Sequence, residues 1–401
     1  MAKKILFVIN TLGGAGAENA LLELLEYLNK SKYEISLYVL TGQGELINRI
    51  PSNVRLLNTH FSDCSVLSKE GRRTLIRTVF SAFFRNGHFF EKTAYCLKMF
   101  NSMKRKGRLQ PEKLLWRVLA QGGQRFGEFY DLAVAYLEGG SAYYVADYVN
   151  ACKKAAFIHI DYENSGYTRE MDQNCFDKMN RIFTVSEEVR THFLNVYPQY
   201  GEKTGIFHNI INQEKIRKEA CKEGGFSDTF DGMRLLTVGR LTYQKAYDIA
   251  IEAMLLLKKS GYKVRWFVLG EGSERAALEK KIAMYGLKED FLLPGSVENP
   301  YPWYAQADIY VHATRFEGKS IAIQEAQTLG CAVIASNCNG NREQIVPEED
   351  GILCELTPED IADSVADLLE NREKRERLGI TAAKKSFTYA EELEQLEDLL
   401  K

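Results

Sequence analysis

Short runs of β-branched and aromatic residues alternate with longer stretches of helical period along the whole chain, a pattern that predicts α/β units built on parallel sheets. A first set of strands is expected near residues 4–10, 35–40, 54–58, 132–138, 155–160, 181–186 and 204–209. The pattern restarts at Arg234-Leu235-Leu236-Thr237-Val238-Gly239 and continues at Val264–Gly270, Phe291–Pro294, Ile309–Thr314, Ala332–Ser336 and Gly351–Cys354. Residues 213–230 lie between the two sets. They carry charges, a Gly224-Gly225 pair and no strand pattern, as expected of a linker. The expected organisation is a first domain over 1–212, a linker over 213–230 and a second domain over 231–385. The terminal segment 386–401 ends in an amphipathic helix from Tyr389 that can pack on either domain.

Composition adds exclusions. The 401 residues, 45% hydrophobic and 26% charged with eight prolines, suit a soluble two-domain protein and rule out a disordered or fibrous chain. No apolar run approaches the roughly 18 residues of a spanning helix. The start, Met1 to Asn10, reads as a first strand rather than a leader, so a cytoplasmic chain is expected. Eight dispersed cysteines without a Cys-x-x-Cys pair read as reduced structural thiols. The six histidines show no helical pair spacing and no neighbouring ligand cluster, so no metal is indicated.

Charge changes the picture in one place. Between Lys69 and Arg117 stand thirteen Lys and Arg against Glu70, Glu91 and Glu112, a net +10 in a chain of net −2. Phe80, Phe83, Phe84, Phe89, Phe90, Tyr95, Phe100 and Trp116 are interleaved with them. This helical insertion suits a basic amphipathic surface on anionic lipid, and equally a helical pair whose basic face is merely solvated. Nucleic acid is disfavoured, because the excess is confined to the insertion and the rest is acidic.

Three segments carry candidate chemistry. After the first strand, Gly13-Gly14-Ala15-Gly16-Ala17-Glu18 precedes a helical run; such glycines open a helix N-terminus to a phosphate, or simply make a tight turn. Asn19 stands where a dinucleotide fingerprint needs its third glycine, which argues against an NAD-dependent oxidoreductase. In the second domain, Gly239-Arg240 and Lys245 follow a strand, where two cations either neutralise a diphosphate or cap the strand end. Past the strand at Ile309–Thr314, Glu317 lies in a turn and Glu325 two helical turns into the next helix. Between them the helix N-terminus around Lys319-Ser320-Ile321 is expected to offer unpaired N–H donors, and each acid is otherwise an ordinary turn or surface carboxylate.

Together these segments resemble the retaining glycosyltransferases of family 4, along the whole chain. Glu317 and Glu325 match that family's Glu-x7-Glu motif, Gly239-Arg240 with Lys245 its diphosphate-binding pair, and Gly13 to Glu18 its first glycine-rich loop. Phe157-Ile158-His159-Ile160-Asp161-Tyr162, His208-Asn209, Gly270-Glu271-Gly272 and Leu293-Pro294-Gly295-Ser296-Val297 match further. The runs at 298–302 and 317–321 look most like the branch that builds bacterial capsule and exopolysaccharide. Ala246 departs from the pattern where many members carry glycine, implying a slightly re-shaped loop.

The resemblance implies a GT-B fold, two Rossmann-like α/β domains with parallel sheets facing a central donor cleft. It implies that Arg240 and Lys245 hold the donor diphosphate, Glu325 the ribose and Glu317 the transferred sugar. Gly239 and the N–H groups of Gly318, Lys319, Ser320 and Ile321 would complete the phosphate and sugar site, with Gly14 and Gly16 approaching from the first domain. Gly295, Ser296 and Val297 would sit at the nucleobase, Glu271 beside the donor, and His159 and Asp161 at the donor sugar and acceptor hydroxyl. The implied reaction is retaining transfer from a nucleotide-diphosphate sugar to a glycan or lipid-linked saccharide for surface polysaccharide. The family majority points to UDP as the nucleotide, with guanine the alternative base. No cofactor is expected, and no metal, because no Asp-x-Asp triplet occurs. A cytoplasmic protein peripheral on the inner membrane face is expected. The competing readings are a nucleotide-sugar epimerase on the same fold and a non-catalytic partner subunit.

Overall fold

A computed structural model describes residues 2–14, 16–28, 32–66, 68–105, 112–163 and 165–401. Ala15 of the first glycine loop and Lys106 and Arg108 of the basic insertion lie outside the described residues. Every expected strand position carries a strand. In chain order these are β1 (Lys3–Ile9), β2 (Tyr33–Val39), β3 (Val54–Leu56), β4 (Tyr130–Ala135), β5 (Ala151–Ile158), β6 (Arg181–Thr184) and β7 (Thr204–Ile206). They are followed by β8 (Met233–Val238), β9 (Val264–Leu269), β10 (Phe291–Gly295), β11 (Ile309–His312), β12 (Ala332–Ser336) and β13 (Ile352–Cys354). The first seven form one sheet in the order β3-β2-β1-β4-β5-β6-β7; the rest form another, β10-β9-β8-β11-β12-β13. All the strand pairs are parallel. Parallel strands joined by helical crossovers have both faces covered, which is why Ile5-Leu6-Phe7-Val8-Ile9 is apolar throughout and wholly buried.

The chain divides into two compact units, residues 1–210 with 389–401, and residues 211–388. The segment expected as a linker opens instead with a helix, Gln213–Ala220, whose first turn is capped by Asn212 accepting from the Lys215 amide. That helix packs on helices Tyr301–Gln306 and Ile321–Thr328 within the second unit. The terminal helix Ala390–Leu400 belongs to the first unit: Glu392 bonds His208 at 2.8 Å and Gln395 donates to the Ile206 carbonyl at 3.0 Å.

In the first unit α1 (Gly16–Tyr27) follows β1, and the basic insertion forms α2 (Lys69–Phe84), α3 (Phe89–Arg105) and α4 (Glu112–Gly122). Not all of its cations face water. Lys92 and Arg117 are buried, Arg117 pairing with Asp147 at 2.8 Å and donating to the carbonyls of Met171 and Asp172. Lys113 lies 4.1 Å over the Tyr167 ring. These three belong to the interior wiring of the fold rather than to a basic surface. Among the described residues, no helix is long and apolar enough to cross a membrane, and all eight cysteines are free.

Candidate active site

The order of the second sheet reverses between β8 and β11, so the segments leaving their C-terminal ends diverge and open a crevice. The first segment carries Gly239, Arg240 and a short 3-10 turn, Tyr243–Lys245, before helix Tyr247–Lys259. Close packing shapes its start. Tyr247 donates to the Gly239 carbonyl at 3.0 Å, and a Cβ on Gly270 would fall 2.0 Å from that same oxygen. Ala246 keeps the left-handed conformation (φ 47°) that glycine would adopt freely, so the loop holds its turn despite the alanine.

The second segment is tied to the first. The Gln244 carbonyl accepts from the Arg315 amide at 2.8 Å and from Thr314 Oγ1 at 3.0 Å, while Gln244 Nε2 donates to the Phe316 carbonyl. Arg315 grips Asp248 with two nitrogens, at 2.7 and 3.0 Å. This frame brings the Lys245 ammonium onto the Glu317 carboxylate, each side chain 14% exposed. His312, buried at the end of β11, places Nε2 3.1 Å from Glu317 Oε2 and Nδ1 3.1 Å from the Tyr310 hydroxyl.

The protonation states follow from the partners. Burial would raise the Glu317 pKa, but the Lys245 charge and the hydrogen bond from His312 outweigh it and hold the carboxyl at about 2. Burial, seconded by Lys245, keeps His312 below the ordinary imidazole value. A neutral His312 donates from Nε2 to Glu317 and accepts the Tyr310 hydroxyl at Nδ1. Sequence reasoning passed over His312, because a lone strand-end histidine carries no spacing signal.

Arg240 is exposed, and its side chain makes no hydrogen bond or ion pair among the described residues. Glu325 accepts hydroxyls from Tyr301 at 3.2 Å and Tyr304 at 3.0 Å, which orient its carboxylate on helix Ile321–Thr328. The helix N-terminus departs from expectation at Ser320. With the Gln344 amide turned to satisfy both partners, the Ser320 N–H donates to Gln344 at 2.7 Å and is already paired. Gly318 is pressed from behind: a Cβ on Gly340 would fall 1.6 Å from its carbonyl. Lys319 is half-buried beside it. Glu271 is also committed, both its oxygens lying 2.7 Å from Arg275. It stands against Gly295 (φ 100°), while Ser296 is exposed and Val297 half-buried.

The first sheet reverses between β1 and β4. There Asn10 donates to the Glu138 carbonyl at 3.0 Å, and Glu138 Oε2 accepts the His159 amide at 3.0 Å. The Gly14 N–H is engaged by Glu45 at 3.2 Å, and Gly16 opens α1. Burial lowers the His159 pKa to about 4, a hydrogen bond to the Tyr136 backbone only partly opposing it. Its Nε2 is buried and has no partner among the described residues. Asp161 lies 3.6 Å from His192, which also pairs with Glu163. Asp161, Glu163 and His192 thus form a group of metal-ligand type that sequence spacing did not reveal, since His192 is about thirty residues away along the chain. Burial would lower the His192 pKa, yet these carboxylates and Glu188 raise it, so the trio is satisfied as an ion-paired cluster.

Residues 231–385 match the family described as Glycosyl transferases group 1. The N-acetylgalactosamine-N,N'-diacetylbacillosaminyl-diphospho-undecaprenol 4-alpha-N-acetylgalactosaminyltransferase of Campylobacter jejuni is 24% identical over 89% of this chain and 87% of its own length. The amylovoran biosynthesis glycosyltransferase AmsD of Erwinia amylovora is 26% identical over 59% of this chain and 66% of its own length. Among solved structures, Anabaena HepE in complex with UDP superposes with a TM-score of 0.65 over 99% of both chains at 16% identity, a likeness of fold. The two parallel sheets thus match the GT-B fold.

Proposed function

We propose that this chain, a glycosyltransferase by its group 1 domain and its relatives, is a retaining, metal-independent family 4 enzyme. It moves a sugar from a UDP-sugar to a hydroxyl of a glycan or lipid-linked saccharide in surface-polysaccharide synthesis. The observation that carries this reading is the buried Lys245–Glu317–His312 network at the β8/β11 reversal, with exposed Arg240 beside Gly239. Support for the substrates comes from elsewhere. The Campylobacter enzyme's name specifies a diphospho-undecaprenol acceptor, and HepE was solved with UDP and with UDP-glucose.

The chemistry follows from charge. Sugar transfer leaves negative charge on the departing diphosphate, and catalysis needs cations aimed at it before the bond breaks. Arg240 supplies a fork for two phosphate oxygens, and Lys245 turns from Glu317 toward the phosphate when the donor enters. Glu317, still hydrogen-bonded by His312, then accepts hydroxyls of the transferred sugar. Glu325, oriented by Tyr301 and Tyr304, accepts those of the ribose. The N–H groups of Gly318, Lys319 and Ile321 complete the anion site, and Ser320 instead holds its helix turn against Gln344. His159 Nε2, neutral and unpartnered, is the first unit's candidate acceptor for a sugar hydroxyl, and Asp161 its candidate for the acceptor substrate.

The test is nucleotide diphosphate release from a panel of UDP-, GDP- and ADP-sugars in EDTA, with Glu317→Ala and Lys245→Ala as controls. Release from UDP-sugars that survives EDTA and is lost in both variants is expected. Release abolished by EDTA, or unchanged in the variants, would overturn the reading. NMR of the product decides the stereochemistry, an inverted anomer refuting retention.

A further inference from the structure

The turn joining α2 to α3 is built to hold phenylalanines in solvent. Phe80, Phe84, Phe89 and Phe90 are 67, 58, 41 and 85% exposed. They touch in sequence: Phe80–Phe84 at 5.0 Å, Phe84 stacked on Phe89 at 5.3 Å, Phe89–Phe90 at 5.7 Å between ring centres. A loose tip would fold such rings inward. This one is clamped from below. Buried Lys92 donates to the carbonyls of Ala82, Phe83, Arg85 and Gly87 at 2.8–3.1 Å, filling the open C-terminus of α2. Asn86 donates to the carbonyls of Gln121 and Gly123, fixing a turn in which Asn86, Gly87 and His88 are all left-handed.

Around the rings the surface is cationic. Arg73, Ile76, Arg77, Phe80 and Phe84 share one exposed face of α2 by their spacing of three and four, and exposed Arg85 follows directly on the end of that helix. The exposed acids of the two helices are Glu70 and Glu91, the latter bonded to His88 at 3.0 Å. Contiguous aromatic exposure of this kind marks an interaction site. A second copy of the chain would bring like charges together, and the core of a protein interface is poor in charge.

We propose that the α2–α3 tip is a membrane-docking wedge for anionic lipid bilayers. Phe84, Phe89 and Phe90 enter the boundary between headgroups and acyl chains, and Arg73, Arg77 and Arg85 meet the lipid phosphates. The proposal stands on the first unit alone and does not require the catalytic reading.

The test is flotation of the full chain with phosphatidylcholine vesicles, with and without phosphatidylglycerol. Binding to the anionic vesicles alone, weakened by salt, is expected. Arg73→Gln/Arg77→Gln should lower partitioning about 30-fold, near fivefold per charge. Phe84→Ser/Phe90→Ser should lower it roughly tenfold or more per ring. These positions are exposed, so an unchanged urea midpoint will show that the fold is intact. Equal binding to neutral vesicles, unaltered binding by either variant, or a dimer that dissolves in the Phe variants without vesicle binding would each overturn the proposal.

Discussion

Lys245→Met removes the cation from a carboxylate that is 14% exposed and leaves Glu317 buried with His312 as its remaining polar neighbour. Holding that carboxyl at about 2 instead of its ordinary 4.5 corresponds to about 3 kcal/mol in favour of the charged form. Breaking a buried pair from one side costs a similar amount, because the orphaned charge stays desolvated. The single variant is therefore expected to destabilise the second unit by about 3 kcal/mol at neutral pH. Glu317→Gln in the same background should restore much of the loss, giving a coupling above about 1 kcal/mol in a double-mutant cycle. The assay is urea unfolding followed by tryptophan fluorescence, since Trp266 and Trp303 report on this unit and Trp116 on the other. The pH dependence has a definite sign. A carboxyl whose folded pKa is depressed stabilises fully above its unfolded value, and that contribution disappears as pH falls from about 4.5 to about 2. Additive single effects, with coupling below about 0.5 kcal/mol, would refute the assignment of Lys245 as the group that holds Glu317 ionised.

Ala246→Gly should stabilise by about 1 kcal/mol, because the left-handed conformation strains a Cβ and suits glycine; thermal unfolding measures it. Gly340→Ala places a methyl group 1.6 Å from the Gly318 carbonyl, so the Glu317–Gly318 turn must move; nucleotide-diphosphate release should fall at least about tenfold although no residue facing the donor has changed. His159→Phe should reduce turnover while leaving UDP affinity intact, as read by kinetics and calorimetry. Because the wild-type imidazole, held at about 4, stays neutral when folded but charges near 6.5 when unfolded, the parent should lose stability relative to this variant as pH falls from about 6.5 to about 4.

The strands were legible because residues covered on both sides by helices must be apolar throughout, and such runs stand out against the helical period around them. Glu317, Glu325, Arg240 and Lys245 were legible as chemistry placed just after strand ends, where α/β sheets open. Other readings failed for a common reason. Lys92 and Arg117 counted toward a basic surface, yet both are internal, since composition does not say which cations turn inward to satisfy carbonyls. The Ser320 N–H was expected open and is taken by Gln344, a residue twenty-four positions later. Residues 213–220 looked polar enough for a linker, though one buried residue, Ile216, is sufficient to seat a short helix on its neighbours.

What the sequence determined by itself is what depends on neighbours along the chain: strand runs, helix period, glycine turns and acids at helical spacing. These follow from local sterics and from which face of an element must leave water. Charge states and partners came with the tertiary packing. It set His312 against Glu317, joined His192 to Asp161 and Glu163, and buried Lys92 under a tip whose phenylalanines remain outside. Electrostatic interactions act through space and depend on burial, so they become readable only when distant segments have been brought within a few ångströms of one another.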